Sequence, residues 1–424
     1  MMIRFSSPLL LANVLQVLYI LADSAIVGRI LGVSAFASIG AAVILYWFVT
    51  RAVTGLVHGF GVIIAQRFGA GDYEGLSKAL VTAFYLMVVF GITIGCVGVF
   101  GSRFFLSILN TPYALLDDAH TYLSLLVGGI IITSVFFLLL SILRALGNSK
   151  TPMWAAISSS ILNVAFAVIL VRPLGIAGVA VATLLAQFFL SIYCFFILRK
   201  TKIFVNSCLR WDRKTAITLL KIGLPLGIRN AMVQVGGLVV QIYINHHGEE
   251  FIAGVAIAKR MYDLLMLALS AFDAAIATFV AQNFGAGKND RVRQGVATGR
   301  RLMLGSALVT MIFTTVFGRS ILGLLFQGDP YQIYAVLDIA SRQLMVLTMA
   351  LPVLYLLFLY RTTLEAIGKP FVPAVSGFVE LAMRIVSVAL TPFIGVWGIY
   401  FSDPAGWLVV TGLLAGTYFK NKPK

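Results

Sequence analysis

Charged residues are scarce in this chain of 424 residues. They make up 11% of it, whereas hydrophobic residues make up 60% and the mean hydropathy is +0.98. A soluble domain has roughly 25% charged residues, so this chain has too few to cover a water-facing surface. Apolar runs of about 20 residues, such as 79–101 and 122–143, can cross a bilayer core as helices. The composition predicts a polytopic α-helical membrane protein.

Cysteine and histidine are also rare. The three cysteines (Cys96, Cys194 and Cys208) are scattered and show neither a disulfide framework nor metal-ligand spacing. Only His246 and His247 among the four histidines are adjacent, with no acidic motif behind them. An enzyme embedded in a membrane needs a convergent cluster of such residues, so we expect neither catalysis nor a cofactor. No short apolar core leading to a small-residue cleavage site follows Arg4, so no cleavable signal is predicted.

Twelve apolar segments are separated by glycine, proline and polar clusters. The polar connection 199–214 divides them into two groups of six, so we expect a six-helix lobe at 1–198, a linker at 199–218 and a second six-helix lobe at 219–424. The predicted spans are 8–31, 41–66, 79–101, 120–143, 152–172, 177–198, 219–244, 258–283, 301–325, 335–360, 371–393 and 395–418.

The net charge of +16 has two explanations, nucleic-acid binding or membrane topology. If the N-terminus is cytoplasmic, 22 of the 32 basic residues fall on the inner side of the predicted spans. Only four then lie in outer loops: Arg29, Arg103, Arg172 and Arg319. Because cytoplasmic loops collect Lys and Arg, this bias predicts cytoplasmic termini and a cytoplasmic linker, and no nucleic-acid partner.

Several sequence features occur twice. "AQRFGAGD" at 65–72 returns as "AQNFGAGK" at 281–288, Pro8 returns as Pro225, and "LRALGNSKTP" at 143–152 is echoed by "LEAIGKPFVP" at 364–373. The chain is therefore interpreted as a tandem duplication of a six-helix unit, with a pseudo-two-fold axis along the membrane normal and a cavity between the copies, an architecture typical of transporters. Each Gly-Ala-Gly phrase is interpreted as a tight turn with positive φ; a phosphate-binding loop is excluded because no Lys-Ser/Thr pair follows.

An acidic residue, Asp23, interrupts the first span. An ionised Asp near mid-bilayer costs about 2.5–3.5 kcal/mol on insertion scales, so it is unexpected there without a task. Burial would let its carboxyl take up and release a proton near physiological pH. The alternative is an Asp that only joins helices through neighbouring hydroxyls.

In their order and spacing, these motifs resemble the multidrug and toxic compound extrusion (MATE) transporters. The similarity rests on "PLLLANVLQVLYILADSAIVGRILG", both Gly-Ala-Gly phrases, "LRALGNSKTPMWAAISSSILN" and "GIAGVAVATLLAQ". It implies an all-α protein of twelve transmembrane helices in two six-helix lobes that exports amphipathic, often cationic compounds by alternating access. Such exporters are driven by an inward H⁺ or Na⁺ gradient.

The resemblance also implies roles for particular residues. Asp23 would be the coupling carboxylate of the first lobe, with Asn163 and Thr183 completing its polar cluster. Relatives with the fullest site carry a second Asp one turn after that Asn, where this chain has Ala167. A single carboxyl suits H⁺ better than Na⁺, so H⁺ is favoured. Asp23 and Asn163 would be metal ligands only if the ion were Na⁺.

In the second lobe, the acids of the NorM-type branch are missing, and Gln234 stands near one of their places. This favours a DinF-like branch. The lobe has its own intramembrane charges (Arg229, Asp273, Glu380 and Arg384), with Glu380 and Arg384 spaced to pair on one helix face. They are interpreted as a structural network or as a second coupling or substrate site.

Other residues are weaker candidates. Pro8 is a possible hinge of the first span, or it marks the first turn of that helix. Gln16, Tyr19, Gln234 and Gln241 are candidates for lining a substrate cavity. We expect a monomer in a bacterial inner membrane, in contact with lipid and with small amphipathic substrates. The alternative function is a flippase for lipid-linked oligosaccharide or another lipid, which a cavity lined by Arg51 and Arg229 would support.

Overall fold

The computed structural model describes residues 2–201, 203, 211–323 and 330–423, without the side chains of residues 2, 3, 16–26, 29, 33 and 330–332. The residues described form 16 helices and no strand. The helices are α1 Met2–Ile30, α2 Gly32–Ala70, α3 Tyr73–Ile108, α4 Tyr113–Gly128, α5 Ile130–Ala145, α6 Lys150–Leu174, α7 Ile176–Lys200, α8 Arg213–Asn245, α9 Glu249–Gly285, α10 Asn289–Gly323, α11 Pro330–Met349, α12 Leu351–Ala366, α13 Phe371–Ala389, α14 Thr391–Ile394, α15 Trp397–Tyr400 and α16 Ser402–Asn421.

Twelve of the described segments are long enough to cross a membrane. Eight helices qualify by length and hydropathy, and two bent pairs, α4 with α5 and α11 with α12, bring the number to ten. The 29 residues of α1 and the 20 residues of α16 supply the other two, since about 20 helical residues span a bilayer core. The predicted all-α fold with twelve transmembrane helices in two lobes is confirmed.

The predicted ends of the spans needed correction. Most helices run further than expected, for example over 39 residues in α2 and 37 residues in α9, because polar helical turns extend beyond the apolar stretch. The last span begins at Ser402, not at 395, since the short helices α14 and α15 occupy the segment between. Hydropathy locates the apolar stretch but not the helix that contains it.

The bends in two spans were not predicted. α4 and α5 meet at Gly129 with a bend of 48°, and α11 and α12 meet at Ala350 with a bend of 45°. A Cβ at Gly129 would lie 2.4 Å from Cδ1 of Leu184, so the missing side chain makes room for α7. Pro352, in the first turn of α12, has no N–H to continue the helix before it. The two bends lie 221 residues apart, at repeat spacing.

Glycines with positive φ recur at equivalent positions of the two repeats. All eight of them in the described residues fall into four pairs at spacings of 216 to 221: Gly32 with Gly248, Gly71 with Gly287, Gly147 with Gly368 and Gly175 with Gly395. Gly71 and Gly287 end the two Gly-Ala-Gly phrases with φ of 72° and 68°. This left-handed conformation costs glycine no Cβ clash, and it turns the chain after α2 and α9. The predicted tight turns are confirmed.

The chain forms two compact units. The first is Arg4–Gly227, and the second is Ile228–Lys424 with the first residues of the chain. The division falls inside α8, so the first half of this helix belongs to the first unit. The lobe boundaries at 198 and 219 remain predictions.

The first half of α8 packs on α2 through glycines. A Cβ at Gly59 would lie 2.5 Å from Cα of Gly223, and a Cβ at Gly227 would lie 3.0 Å from the carbonyl oxygen of Ala52. Gly223 and Gly227 are four residues apart and therefore lie on one face of α8. Small residues at this spacing let membrane helices approach backbone to backbone.

Side chains of the first Gly-Ala-Gly region also hold the start of α8. Arg67 donates to the carbonyl of Gly75 and, at 3.2 Å, to Oγ1 of Thr215. Asp212 caps α8 by accepting from the backbone N–H of Thr215 at 2.8 Å. Hydrogen bonds from the side chain and the backbone of Thr215 lower the pKa of Asp212, and the nearby charges of Lys78 and Arg67 lower it further. The cap is therefore ionised at neutral pH.

The second Gly-Ala-Gly region lacks this arrangement. Asn283 stands where the first phrase has Arg67, and it donates to the carbonyl of Phe279 in its own helix at 2.8 Å. The first phrase thus has an arginine that bonds to the start of α8, where the second phrase has an asparagine that bonds within its own helix.

Candidate ion-coupling site

The helices α6 and α7 form a hairpin that carries two of the predicted site residues. Gly175 separates the helices with φ of 58°. A Cβ on Gly178 would lie 2.3 Å from the carbonyl oxygen of Leu170, so the two backbones nearly touch at this end. Close packing along the hairpin brings Asn163 on α6 opposite Thr183 on α7.

Asn163 and Thr183 are hydrogen-bonded. Asn163 Nδ2 donates to Thr183 Oγ1 at 2.8 Å, and the hydroxyl donates in turn to the carbonyl of Val179 at 3.2 Å. Asn163 is buried, and its Oδ1 has no hydrogen-bond donor among the residues that the structure describes. A buried amide oxygen left without a donor costs about 1–3 kcal/mol. The site therefore has an acceptor that calls for a donor or a cation.

Asp23, Gln16 and Tyr19 lie on α1, but their side chains are outside the described residues. Their contacts and roles remain predictions. Val27, one helical turn after Asp23, is described and lies 2% exposed in a buried apolar cluster. The same cluster contains Ala167, one turn after Asn163, and Ala182, next to Thr183. Ala167 is fully buried, so that position is occupied by packing, not by a second carboxyl.

Pro8 lies inside α1, six residues after Met2, and its repeat partner Pro225 lies inside α8. Pro8 therefore does not mark the first turn of its helix, which was one of the two interpretations. A proline at this depth removes a hydrogen bond to the preceding turn and favours a kink. The hinge role remains a prediction.

Two buried ion pairs occupy the second unit. Arg229 on α8 pairs with Glu365 on α12, and Arg361 on α12 pairs with Glu380 on α13. All four side chains are at most 9% exposed. Arg229 also donates to Oδ1 of its neighbour Asn230, at 2.9 Å from Nη2. Such pairing offsets the cost of taking the charges out of water.

The predicted pairing of Glu380 with Arg384 is replaced by pairs with other helices. Arg384 binds Asp403 on α16, with 2.6 Å from Nη2 to Oδ1, while Glu380 binds Arg361. Neighbouring helices bring opposite charges closer than the spacing along α13 does. Asp273 on α9 accepts a hydrogen bond from the hydroxyl of Thr362.

Sequence reasoning missed Arg361, Glu365 and Asp403. Arg361 lies just before the repeated phrase at 364–373 and Glu365 lies within it, and this phrase was interpreted only as evidence of duplication. Both stand inside the apolar helix α12, which is the signal that identified Glu380. Asp403 lies in the first turn of α16, whose start was placed too early.

Gln234 and Gln241 are the two glutamines of α8 that were predicted to line a cavity. Gln241 Nε2 donates to Asn245 Oδ1 at 2.8 Å within the same helix, near its end. Gln234 is partly buried one turn after Asn230. No three His, Cys, Asp or Glu side chains converge as a metal site in the described part of the chain. A cavity role for the glutamines remains a prediction.

Comparisons with known proteins agree with this architecture. Residues 8–169 and 225–391 match the MatE family model, and the two matched segments begin at Pro8 and Pro225. The probable multidrug resistance protein YoeA of Bacillus subtilis (strain 168) is 28% identical over 437 residues, covering 98% of this chain and 92% of YoeA.

Solved structures share the fold. A MOP superfamily transporter from Pyrococcus furiosus superposes with a TM-score of 0.88 at 19% identity, over 99% of this chain and 95% of that one. A MATE protein crystallised in a bent conformation superposes with a TM-score of 0.88 at 20% identity, with the same coverage of both chains. The family match covers most of both repeats. The chain therefore belongs to the MATE family of multi-pass membrane transporters.

Proposed function

We propose that this protein is a cation-coupled antiporter that exports amphipathic, often cationic compounds by alternating access. The multidrug resistance named for YoeA supports the substrate class. Asp23 is the carboxyl that takes up the coupling ion, and H⁺ is favoured over Na⁺. The transporter needs no other cofactor.

One observation carries the assignment of the site. Val27, Ala167 and Ala182 share a buried cluster, and each lies within one turn of a candidate: Asp23, Asn163 and Thr183 respectively. The helices that carry the candidates, α1, α6 and α7, thus all contribute to one buried cluster. We propose that the carboxyl of Asp23 acts together with the hydrogen-bonded pair on α6 and α7.

Among the residues that the structure describes, Oδ1 of Asn163 has no hydrogen-bond donor, and this suggests how the ion acts. An ionised carboxylate only accepts hydrogen bonds, whereas a protonated carboxyl also donates one. Protonation of Asp23 would therefore supply a donor for Oδ1 of Asn163. The ion shifts the equilibrium between two conformations by its difference in affinity for them, and substrate shifts it back.

The preference for H⁺ rests on the number of ligands. Na⁺ is held by several oxygens at once, and the second carboxyl that would help to hold it is replaced by Ala167, fully buried. A single proton needs one carboxyl and one acceptor. Asp23 and Asn163 would be the Na⁺ ligands if the ion were Na⁺.

We assign the buried charges of the second unit to a structural role. Arg229, Glu365, Arg361 and Glu380 neutralise one another across α8, α12 and α13. This also speaks against the flippase alternative, because Arg229 is engaged by Glu365 and is not available to bind a phosphate group in a cavity.

The protein is proposed to be a monomer in a bacterial inner membrane, with both termini and the linker in the cytoplasm. The missing second-lobe acids support a DinF-like branch. Pro8 is proposed as the point at which α1 bends as Asp23 changes its charge. Gln16, Tyr19, Gln234 and Gln241 are proposed to contact substrate.

The test is exchange of a fluorescent cation, ethidium, in proteoliposomes under either a proton or a sodium gradient. We expect the wild type to move ethidium when a proton gradient is imposed. Asp23→Asn cannot change its charge, so it should lose gradient-driven transport. Asp273→Asn makes the same chemical change at another intramembrane Asp and should retain it.

Gradient-driven transport by Asp23→Asn at the wild-type rate would remove Asp23 from the mechanism. A strict requirement for sodium would overturn the choice of ion. Loss of coupling in a folded Asp273→Asn protein would replace the structural role of the second unit with a second coupling site.

A further inference from the structure

The second repeat carries an ion pair at the position of the proposed coupling site. Asn163 stands thirteen residues after the start of α6, and Arg384 stands thirteen residues after the start of α13. Thr183 follows the positive-φ Gly175 by eight residues, and Asp403 follows its partner Gly395 by eight. The bonded pair of the first repeat thus corresponds to the bonded pair of the second.

The chemistry of the two pairs differs. Asn163 and Thr183 are neutral and share one hydrogen bond of 2.8 Å. Arg384 donates to Oδ1 of Asp403 from Nε at 2.7 Å and from Nη2 at 2.6 Å. Its side chain is only 9% exposed, and that of Asp403 is 34% exposed. A neutral pair has been replaced by a guanidinium with its own carboxylate.

The position that corresponds to Asp23 also differs between the two repeats. Asp23 follows Pro8 by fifteen residues, and the residue fifteen after Pro225 is Val240. Arg384 contacts α8 seven residues before Val240, where its Nη1 donates to the carbonyl of Val233 at 2.8 Å. A Cβ on Gly236 would lie 2.7 Å from Nη1, so the glycine leaves the space that the guanidinium fills.

Charge balance follows from these three positions. In the first repeat the proposed site combines one acid, Asp23, with the neutral pair Asn163 and Thr183, so such a site is neutral only after it takes up a cation. The second repeat places one acid and one base among neutral partners, so its site is already neutral. Uncompensated charge is costly in the membrane, which makes the two sites unequal in their demand for an ion.

We propose that Arg384 is a tethered cation that fills, in the second repeat, the place where the first repeat takes up the transported coupling ion. This rests on the proposed role of Asp23. It makes the second site permanently occupied, so that one coupling cation is exchanged per transport cycle.

The other polar groups around Arg384 do not alter this balance. Glu380 lies one turn before it on α13 and is engaged by Arg361. Tyr262 on α9 is also near, and its ring stacks on Trp407 of α16. Asp263, next to Tyr262, is exposed on α9. Asp403 is the carboxylate that removal of the guanidinium would release.

The experiment counts cations bound by purified protein in the Asp23→Asn background. Protons are counted with an indicator dye after a pH jump, and sodium is counted with ²²Na⁺. We expect Asp23→Asn/Arg384→Met to bind one cation more per protein than Asp23→Asn alone. Adding Asp403→Asn to this double variant should return the number of bound cations to that of Asp23→Asn. Asp23→Asn/Arg384→Lys keeps a tethered charge and should bind no more cations than Asp23→Asn alone.

The proposal is overturned if Arg384→Met, folded by gel filtration and thermal unfolding, binds no additional cation that depends on Asp403. It is equally overturned if Asp23→Asn alone still binds a cation that Asp403→Asn removes. The comparison of Asp23→Asn with Asp23→Asn/Asp403→Asn tests the proposal even where Arg384→Met does not fold. The role of Asp23 is tested separately, by the difference between wild type and Asp23→Asn.

Discussion

At the residue scale, the site depends on a hydroxyl that orients an amide. Thr183 accepts from Nδ2 of Asn163, which fixes the amide with its Oδ1 pointing away from the pair. Oδ1, which lacks a donor among the described residues, is thereby held in one orientation. Without this hydrogen bond, the amide could turn either of its ends toward the proposed coupling carboxyl.

Thr183→Val tests this orienting role. Valine has the shape of threonine without the hydroxyl, so it removes a membrane hydrogen bond of about 1 kcal/mol. We expect the apparent affinity for the coupling ion to fall roughly fivefold, in proportion to that energy. The measurement is the proton concentration at half-maximal ethidium transport. Thr183→Ser keeps the hydroxyl and should match the wild type, whereas an unchanged Thr183→Val would contradict the role.

Glu365→Gln tests the buried pair with Arg229. Removing one partner leaves a buried charge uncompensated, which costs about 3–5 kcal/mol. We expect a large drop in the thermal unfolding temperature of the detergent-solubilised protein.

The matched control is Asp117→Asn, which breaks an exposed ion pair with Arg103. The side chain of Asp117 is 79% exposed, and that of Arg103 is 56% exposed. An exposed pair contributes about 0–1 kcal/mol, so this variant should unfold near the wild-type temperature. Equal effects of the two substitutions would contradict the structural role of the buried pair.

At the element scale, hydropathy predicted the spans but not their shapes. Each helix that crosses a membrane needs an apolar stretch of about 20 residues, so the number and order of the spans could be predicted from the sequence. The bends at Gly129 and Ala350 depend on what packs beside them, for example Leu184 at Gly129. The partner of Arg384 likewise comes from another helix, since Asp403 is nineteen residues away. Asn163 and Thr183 were identified only through the family resemblance.

Gly59→Ala tests the contact between α2 and α8. The added Cβ would meet the backbone of Gly223, which cannot turn aside as a side chain can. We expect a loss of about 1–3 kcal/mol in the free energy of unfolding, the usual cost of overpacking.

Gly237→Ala on α8 is the control for this prediction, because no described atom beyond the adjacent backbone of α8 lies within 4 Å of its Cβ position. Removing a helix glycine without a clash should be neutral or stabilise by up to about 1 kcal/mol. Both measurements use denaturant titration followed by tryptophan fluorescence. A harmless Gly59→Ala would mean that the two helices separate easily.

At the scale of the whole molecule, the distribution of basic residues sets the orientation in the membrane. Lysines and arginines cluster at alternate ends of the twelve spans, and cytoplasmic loops retain such charges. The turn at Lys288 should therefore face the cytoplasm. The connection before Tyr113, whose side chain is 84% exposed, should face outward.

Labelling with a membrane-impermeant maleimide checks this orientation. In a variant without native cysteines, Tyr113→Cys should be labelled in intact bacterial cells. Lys288→Cys should be labelled only after the cells are permeabilised, because the proposed topology puts this turn on the inner face. The reverse pattern would invert the proposed topology.

The shared helix α8 has a consequence for biosynthesis. The nascent chain has already inserted six spans when the linker leaves the ribosome, yet the flank of α2 at Gly59 still lacks its neighbour. The earlier half must wait in the bilayer with the side of α2 at Ala52 and Gly59 uncovered until the seventh span arrives. The first helix of the later half, α8, therefore completes the packing of the earlier half as soon as it is translated.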